Sequence, residues 1–505
     1  MNDTPCDDSV DEYDRRLLDQ VRPPDWRNPA GDRRYDLVVI GAGTAGLVTA
    51  AGAAGLGARV ALIEQRRLGG DCLNYGCVPS KALIAAARAA ASIRNAGRFG
   101  VRPGSEPQVD FEAVMRRMRR LRSEIARHDS AARFRELGVD LFLGSARFEE
   151  GGKTICVDDR TLRFRKAAVC TGSRPAVPDV KGLTEAGFLT NETVFSLTQR
   201  PGHLALLGGG PIGCELAQAF SHLGCQVTLI EHGPRLLKKD DVDAASIVEQ
   251  ALVRDGVRLM LKSQLQEVLP HAGGRRLVIQ QEGGTHEELD VDDLLVAVGR
   301  TPNVEGLNLD SAGIEHDSKQ GIIVDDHLRT TNRRIFAAGD VCSSYRFTHA
   351  ADFMARIVIR NALFFGRARV SRLLIPWCTY TSPELAQVGL TEADAHRQGI
   401  AIDTLTQELS SVDRAVLDGE AEGFVRLHLK QGSDRILGAT IVAAHAGELI
   451  SGITVAMRNG IGLRAIGESI HPYPTQAEAI RKLADVHNRG RLTPTVKKLL
   501  GLWFR

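Results

Sequence analysis

The sequence predicts an α/β protein built around two Rossmann-like dinucleotide-binding units, and three observations carry that expectation. A glycine fingerprint stands at Gly41, Gly43 and Gly46 directly after a short apolar run, and a second stands at Gly208, Gly210 and Gly213. Each is followed by an acid 23 positions after its first glycine, at Glu64 and at Glu231. The chain has 505 residues, more than one hydrophobic core ordinarily serves, so roughly two to four domains are expected.

Composition narrows the function classes. The chain is 43% hydrophobic and 25% charged with a formal net charge of +2, which argues against nucleic acid as its main partner. Residues 1–32 begin "MNDTPCDDSVDEYD", acidic and proline-containing, unlike the basic start and apolar core of a signal peptide. They are expected to form a flexible N-terminal arm on a cytoplasmic protein. The uncharged stretch from Leu37 to Ala58 is long enough to span a bilayer. Its glycines and alanines, and the fingerprint inside it, favour a buried strand and helix.

The first unit reads "YDLVVIGAGTAGLVTAAGAAGLGARVALIE" from Tyr35. Gly41 permits the tight turn after the strand, Gly43 lets the backbone approach a pyrophosphate, and Gly46 lets the helix pack closely on the sheet. The helix N-terminus attracts phosphate, and Glu64 can accept hydrogen bonds from a ribose. The second unit, "HLALLGGGPIGCELAQAFSHLGCQVTLIE", repeats the device. Two such units suggest a flavin dinucleotide and a nicotinamide dinucleotide facing each other. A carboxylate at Glu231 suits a free 2′-hydroxyl and repels a 2′-phosphate, so NADH is favoured over NADPH. Arg235, Lys238 and Lys239 nearby pull the other way.

Nine cysteines spread over such a length do not make a secreted disulfide framework. Cys72 and Cys77, in "GGDCLNYGCVPSK", are the pair that looks arranged. Pro79 suits the first turn of a helix and the alanine-rich run after it is helical, so Cys77 falls near a helix N-terminus. That end of the dipole and Lys81 would both stabilise a thiolate. The glycine and asparagine of "LNYG" could let the chain turn tightly and bring the sulfurs together. A redox-active pair is the sharp reading; a zinc site or a purely structural disulfide are the bland ones.

This motif resembles that of the flavin-dependent pyridine nucleotide-disulfide oxidoreductases, the family of dihydrolipoamide dehydrogenase, glutathione reductase and mercuric reductase. Matching stretches recur as "CTGSRP" (Cys170 to Pro175), "VAVGRTPN" (Val296 to Asn303), "TNRRIFAAGD" (Thr331 to Asp340) and "TSPELAQVGLTEADA" (Thr381 to Ala395). The resemblance implies an FAD-binding domain over 33–180 and 301–370, an NAD(P)-binding domain over 181–300, and a C-terminal α+β dimerisation domain over 371–490, with a tail at 491–505. It implies a homodimer with an active site shared between subunits. Cys72 would be the interchange thiol that attacks substrate, and Cys77 the thiol in charge-transfer contact with FAD. Lys81 would lie by the flavin and pair with Glu215. Thr171, Gly172, Ser173 and Asp340 would also meet FAD, and Gly299 would lie by the nicotinamide nucleotide.

One motif departs from the family pattern. Disulfide reductases carry a histidine before Pro-Thr, with a glutamate five residues after it, as acid and base for thiol exchange. Here "SIHPYPTQAEA" puts Tyr473 before Pro474-Thr475, while Glu478 keeps its place. A tyrosine, with a pKa of about 10, is a poor base near neutrality. His471 lies two residues upstream, roughly 7 Å along an extended chain. The tyrosine is similar to that of mercuric reductase, where it would sit near a metal held between the thiols. No CxxC precedes residue 33 and no cysteine follows Cys378, so that enzyme's metal-delivery cysteines have no counterpart here.

The expected function is therefore NAD(P)H oxidation through FAD and a Cys72–Cys77 disulfide, with a small-molecule disulfide or thiophilic compound as acceptor. True mercuric ion reduction is the alternative, and a redox-sensing flavoprotein with little turnover is a further one. No resident metal is expected. The tail "RLTPTVKKLLGLWFR" could form a short amphipathic helix on a membrane surface; packing on its own dimer is the preferred reading.

Overall fold

A computed structural model describes residues 11–102, 104–105, 108–490 and 494–504. The strand Arg34–Ile40 lies at the heart of a seven-stranded sheet. It pairs in parallel with Val60–Glu64 on one side and Arg160–Val169 on the other. Leu37 through Ile40 are all buried, because both faces of the sheet are covered and a strand there reads as an apolar run rather than an alternation. The strand Ile335–Ala337 returns much later in the chain to pair in parallel with Ala167–Val169. The sheet is thus assembled from two separated stretches of sequence.

Between those stretches a second parallel sheet forms, in the order Val257–Met260, Gln226–Ile230, His203–Leu207, Asp293–Val296. An antiparallel pair of Ser173–Pro175 with Arg300–Pro302 ties the chain's exit from the first sheet to its return. The last sheet has five antiparallel strands: Trp377–Thr379, Glu384–Gly389, Ile436–Ala443, Phe424–Lys430 and Ile402–Glu408. The α/β class with two Rossmann-like units and an α+β unit is therefore the observed architecture.

One packing relation positions the site. Leu83 and Ile84 of the helix Cys77–Arg94 share a core with Cys214, Leu216 and Phe220 of the helix Pro211–His222. The helix that follows the cysteines is thereby fixed against the helix of the second glycine fingerprint.

The N-terminal expectation needs correction. Cys6 and residues 1–10 lie outside the described residues, but from Asp11 the chain is not a loose arm. Asp11 caps a helix, Glu12–Val21, by accepting from the N–H groups of Tyr13 and Asp14. Leu17 and Val21 of that helix are buried in the core of the first sheet, and Asp14 pairs with Arg122 at 2.6 Å. The acidic composition that suggested disorder supplies a helix cap and the partners of buried arginines. The tail, described from residue 494, forms a helix over Pro494–Trp503 with no buried residue.

Candidate active site

Cys72 lies in the short helix Gly70–Asn74, and Cys77 opens the helix Cys77–Arg94. The chain breaks between them at Tyr75 and Gly76. A Cβ at Gly76 would stand 3.0 Å from the Asp71 carbonyl oxygen and 3.3 Å from Cys72 Cα, so a bare backbone there lets one helix start hard against the other. The two free thiols meet, and Cys72 donates its S–H to Cys77. Pro79, third in the helix, lacks an N–H that would have no partner in a first turn.

Electrostatics splits the pair. The hydrogen bond from Cys72 is the largest cause holding the Cys77 thiol well below its ordinary value. Desolvation opposes this, while the Thr348 hydroxyl, 3.5 Å away, and the Lys81 charge reinforce it. Thr348 itself opens the helix Thr348–Leu363, so two helix N-termini converge on Cys77. Cys72 is pushed strongly upward by the same hydrogen bond and by burial. One proton leaves the dithiol easily and the other is held on Cys72.

One turn along the helix, Lys81 Nζ lies 2.7 Å from Glu215 Oε2. The other Glu215 oxygen accepts the Tyr380 backbone N–H at 2.9 Å, and the ammonium sits 4.6 Å from the Tyr380 ring centroid. Glu215 thereby joins the thiol helix, the second glycine unit and the antiparallel sheet. Burial pushes the Tyr380 hydroxyl up to about 12, so Tyr380 presents an uncharged ring to the cation.

A cavity of about 850 Å³ extends from Gly41, Gly43 and Glu64 to Cys72, Cys77 and Lys81. Thr171, Gly172, Ser173 and Asp340 also line it. This volume suits a large cofactor, and the donor set fits FAD. Glu64 accepts N–H bonds from Ala42 and Arg66, both at 2.7 Å, and burial raises its pKa. Ser173 donates to Asp340 at 2.6 Å and accepts from Arg300 Nε at 2.7 Å. Arg346 Nε, buried without a partner, lies on the same wall; a bound polar group would satisfy it.

The second glycine unit repeats the first. Gly209 and Gly233 N–H groups donate to Glu231 at 2.6 and 2.7 Å, matching Ala42 and Arg66 on Glu64. A Cβ on Gly46 would sit 1.8 Å from the Gly41 carbonyl oxygen, and one on Gly213 1.9 Å from that of Gly208. Gly208, Gly210, Gly213, Glu231 and Gly299 do not line the cavity; Pro211, Ile212 and Glu215 of the same unit do.

The C-terminal motif stands apart. Tyr473, 70% exposed, donates its hydroxyl to Asp413 at 2.9 Å, and that carboxylate raises the tyrosine pKa. His471 Nδ1 contacts the Ser469 carbonyl at 2.9 Å. Glu478 takes Arg481 at 3.3 Å on one oxygen, while its Oε2 is buried without a partner. None of the three lines the cavity that holds Cys72.

Sequence reasoning missed several wall residues. Thr348, His349, Arg346, Asp71 and Cys378 all line the cavity. Arg300 also reaches Asp71, at 3.1 Å, and it lay within the quoted "VAVGRTPN". Tyr380 directly precedes another quoted stretch. Thr348 and Arg346 had no motif to mark them. Burial pushes the Cys378 thiol up, leaving it a neutral group on the wall.

Comparison with known proteins agrees with this geometry. The family model described as pyridine nucleotide-disulphide oxidoreductase matches residues 35–355, and the dimerisation domain of that family matches residues 375–484. The chain belongs to this family. It is 33% identical to a mercuric reductase of Staphylococcus aureus, over 90% of this chain and 82% of the relative. It is 34% identical to a dihydrolipoyl dehydrogenase of Chlamydia muridarum, over 88% of this chain and 95% of that one. Among solved structures it resembles the HOCl-induced flavoprotein disulfide reductase RclA of Escherichia coli, in its Cu(II) complex. That likeness has a TM-score of 0.79 at 28% identity, covering 88% of this chain and 98% of that chain. The chain is a FAD-dependent NAD(P)H oxidoreductase acting on a sulfur group, of a family whose members form homodimers. Among the described residues no helix is long and apolar enough to cross a membrane, and no group of three or more His, Cys, Asp or Glu could hold a metal ion.

Proposed function

We propose that this protein passes two electrons from NADH to a small-molecule disulfide or thiophilic acceptor through the Cys72–Cys77 pair. The observation that carries the reading is the placement of both thiols in the large cavity with Thr348 against Cys77 and Lys81 one turn along its helix, a setting in which Cys77 favours its thiolate while Cys72 keeps its proton. FAD, when bound, supplies the two-electron exchange with the nicotinamide. For a disulfide acceptor, NADH, a proton and the disulfide become NAD⁺ and a dithiol: Cys72 passes its proton across the hydrogen bond to Cys77 as its sulfur attacks the acceptor, the released thiolate takes that proton up, and Cys77 then closes the Cys72–Cys77 disulfide and frees the second thiol. Lys81 and the two helix N-termini hold the negative charge on Cys77. Gly41, Gly43, Gly46, Glu64, Thr171, Gly172, Ser173 and Asp340 would hold FAD. Gly208, Gly210, Gly213, Glu231 and Gly299 would hold the nicotinamide nucleotide.

The NADH preference rests on Glu231, whose carboxylate is fixed at the end of its strand by two backbone N–H groups. The opposing cation Arg235 donates to the carbonyls of Leu237, Lys238 and Asp240, which supports the same choice. We assign 33–180 and 301–370 to the FAD domain, 181–300 to the NAD(P) domain and 371–490 to dimerisation. In the dimer, Tyr473 and Glu478 of one subunit would complete the other's thiol site. The exposure of Tyr473 and the orphaned Glu478 oxygen favour this.

A second reading, mercuric ion reduction, is favoured by Tyr473 in the place of a histidine and by two thiols free to ligate soft Hg(II). NADH and Hg(II) would then give NAD⁺, a proton and Hg(0).

The test is anaerobic reduction with NADH and, separately, NADPH, then rapid mixing with oxidised lipoamide, glutathione disulfide or thiol-buffered Hg(II). A long-wavelength absorption band that is absent in Cys77→Ser and discharged by one acceptor supports the relay and names the acceptor class. Flavin bleaching without that band would sink it, and a band that no acceptor discharges would favour a sensor.

A further inference from the structure

The helix Pro494–Trp503 lies beyond the dimerisation match, which ends at residue 484. Its apolar residues are ordered. Val496, Leu499, Leu500 and Trp503 fall at i, i+3, i+4 and i+7, the spacing of one helical face. Leu499, Leu500 and Trp503 are 62%, 40% and 84% exposed, and Phe504 just after them is 81% exposed. Lys497, Lys498 and Gly501 take the opposite side. The charge is one-sided as well: from Val486 to Arg505 the sequence contains Arg489, Arg491, Lys497, Lys498 and Arg505 and no Asp or Glu.

We propose that this helix docks the enzyme on an anionic lipid surface. Ten residues of helix extend about 15 Å, half of the roughly 30 Å hydrocarbon layer, so the helix lies in the plane of the interface. Its leucines and Trp503 sink among the acyl chains while Lys497 and Lys498 meet the headgroups. Charge favours lipid over a second copy: with no Asp or Glu from Val486 to Arg505, a paired helix would bring these cations no anion, whereas anionic headgroups supply one. This departs from the packing on its own dimer that the sequence favoured; within its own subunit no residue of the helix is fully buried.

Full-length, FAD-loaded protein would be floated with vesicles of equal phosphatidylglycerol and phosphatidylcholine, and with phosphatidylcholine alone. Co-flotation with the anionic vesicles at low salt is expected, with release as salt rises and little binding to neutral ones. Lys497→Gln with Lys498→Gln should weaken partitioning about thirtyfold. Leu500→Asp with Trp503→Asp should abolish it, with NADH oxidation retained as the check on folding. No binding to anionic vesicles at low salt overturns the proposal, as does binding that survives both double variants. Sedimentation showing assemblies larger than a dimer, lost in Leu500→Asp/Trp503→Asp, would assign the face to a second copy and overturn it too.

Discussion

Around the cysteines, Cys77, Lys81 and Glu215 all meet their partners within one chain, whereas Tyr473 lies exposed on Asp413 and Glu478 keeps a buried oxygen unpaired. The contrast has a physical source. The thiol side is built from two helices joined at Gly76 and anchored by a shared core, so local sequence and packing determine its geometry. The tyrosine side is a short exposed stretch between helices, with few contacts of its own to position a reacting group. In the proposed dimer, a second chain would supply the missing contacts.

The largest effect that tests this contrast is on Cys72. Cys72→Ser should lower turnover with any acceptor by about a thousandfold or more, since the nucleophile itself is lost. Reduction of the flavin by NADH should stay within about twofold, because the nicotinamide side does not involve that sulfur. Stopped-flow measurement of the two half-reactions separates them. Slow flavin reduction in this variant would mean that the two sides are not independent.

Next in size is Lys81→Met. Lys81 favours the charged form of Cys77, so its loss must raise the pKa of that thiol. The long-wavelength band of the two-electron-reduced enzyme, which needs the thiolate, is present above that pKa and lost below it. In the parent it should persist well below the ordinary thiol value of about 8.5, and in the variant its midpoint should move upward. A spectral pH titration reads both, and an unmoved midpoint would assign the stabilisation to Cys72, Thr348 and the helix ends alone.

Much of the thiol half was legible in sequence because its spacing is local. Pro79 and the alanine-rich run marked the helix, and "LNYG" marked the break. The fingerprints declared themselves through a repeat that the structure reproduces bond for bond at Glu64 and Glu231. What escaped was supplied at long range. Thr348 reaches Cys77 from a helix 271 positions away, and Tyr380 reaches Glu215 across 165; no local pattern records such meetings. The N-terminal helix was missed for a different reason. Its acids read as disorder when counted, but Asp14 is the partner of Arg122, which the sequence alone does not place there.

A smaller effect is expected at Tyr473. Tyr473→Phe removes one hydroxyl and keeps the ring, so turnover with the acceptor should fall by about a hundredfold, the low end for a lost acid or base, with the band and its pH midpoint unchanged. A loss as large as that of Cys72→Ser would show Tyr473 to be as essential as the nucleophile, and the contrast between the two halves would fail.

The smallest effect tests whether His471 replaces the family's histidine. Its Nδ1 is held at the Ser469 carbonyl, and two residues of extended chain displace it by roughly 7 Å from the position Tyr473 occupies. An imidazole tied to its own loop in that way is poorly placed to trade protons with Cys72. His471→Gln should therefore change turnover by less than about twofold and leave the pH–rate profile without a lost limb. If instead a limb of that profile vanished in this variant alone, the loop would have to rearrange in the dimer to bring His471 to the thiols. Tyr473 would then be its neighbour and not its substitute.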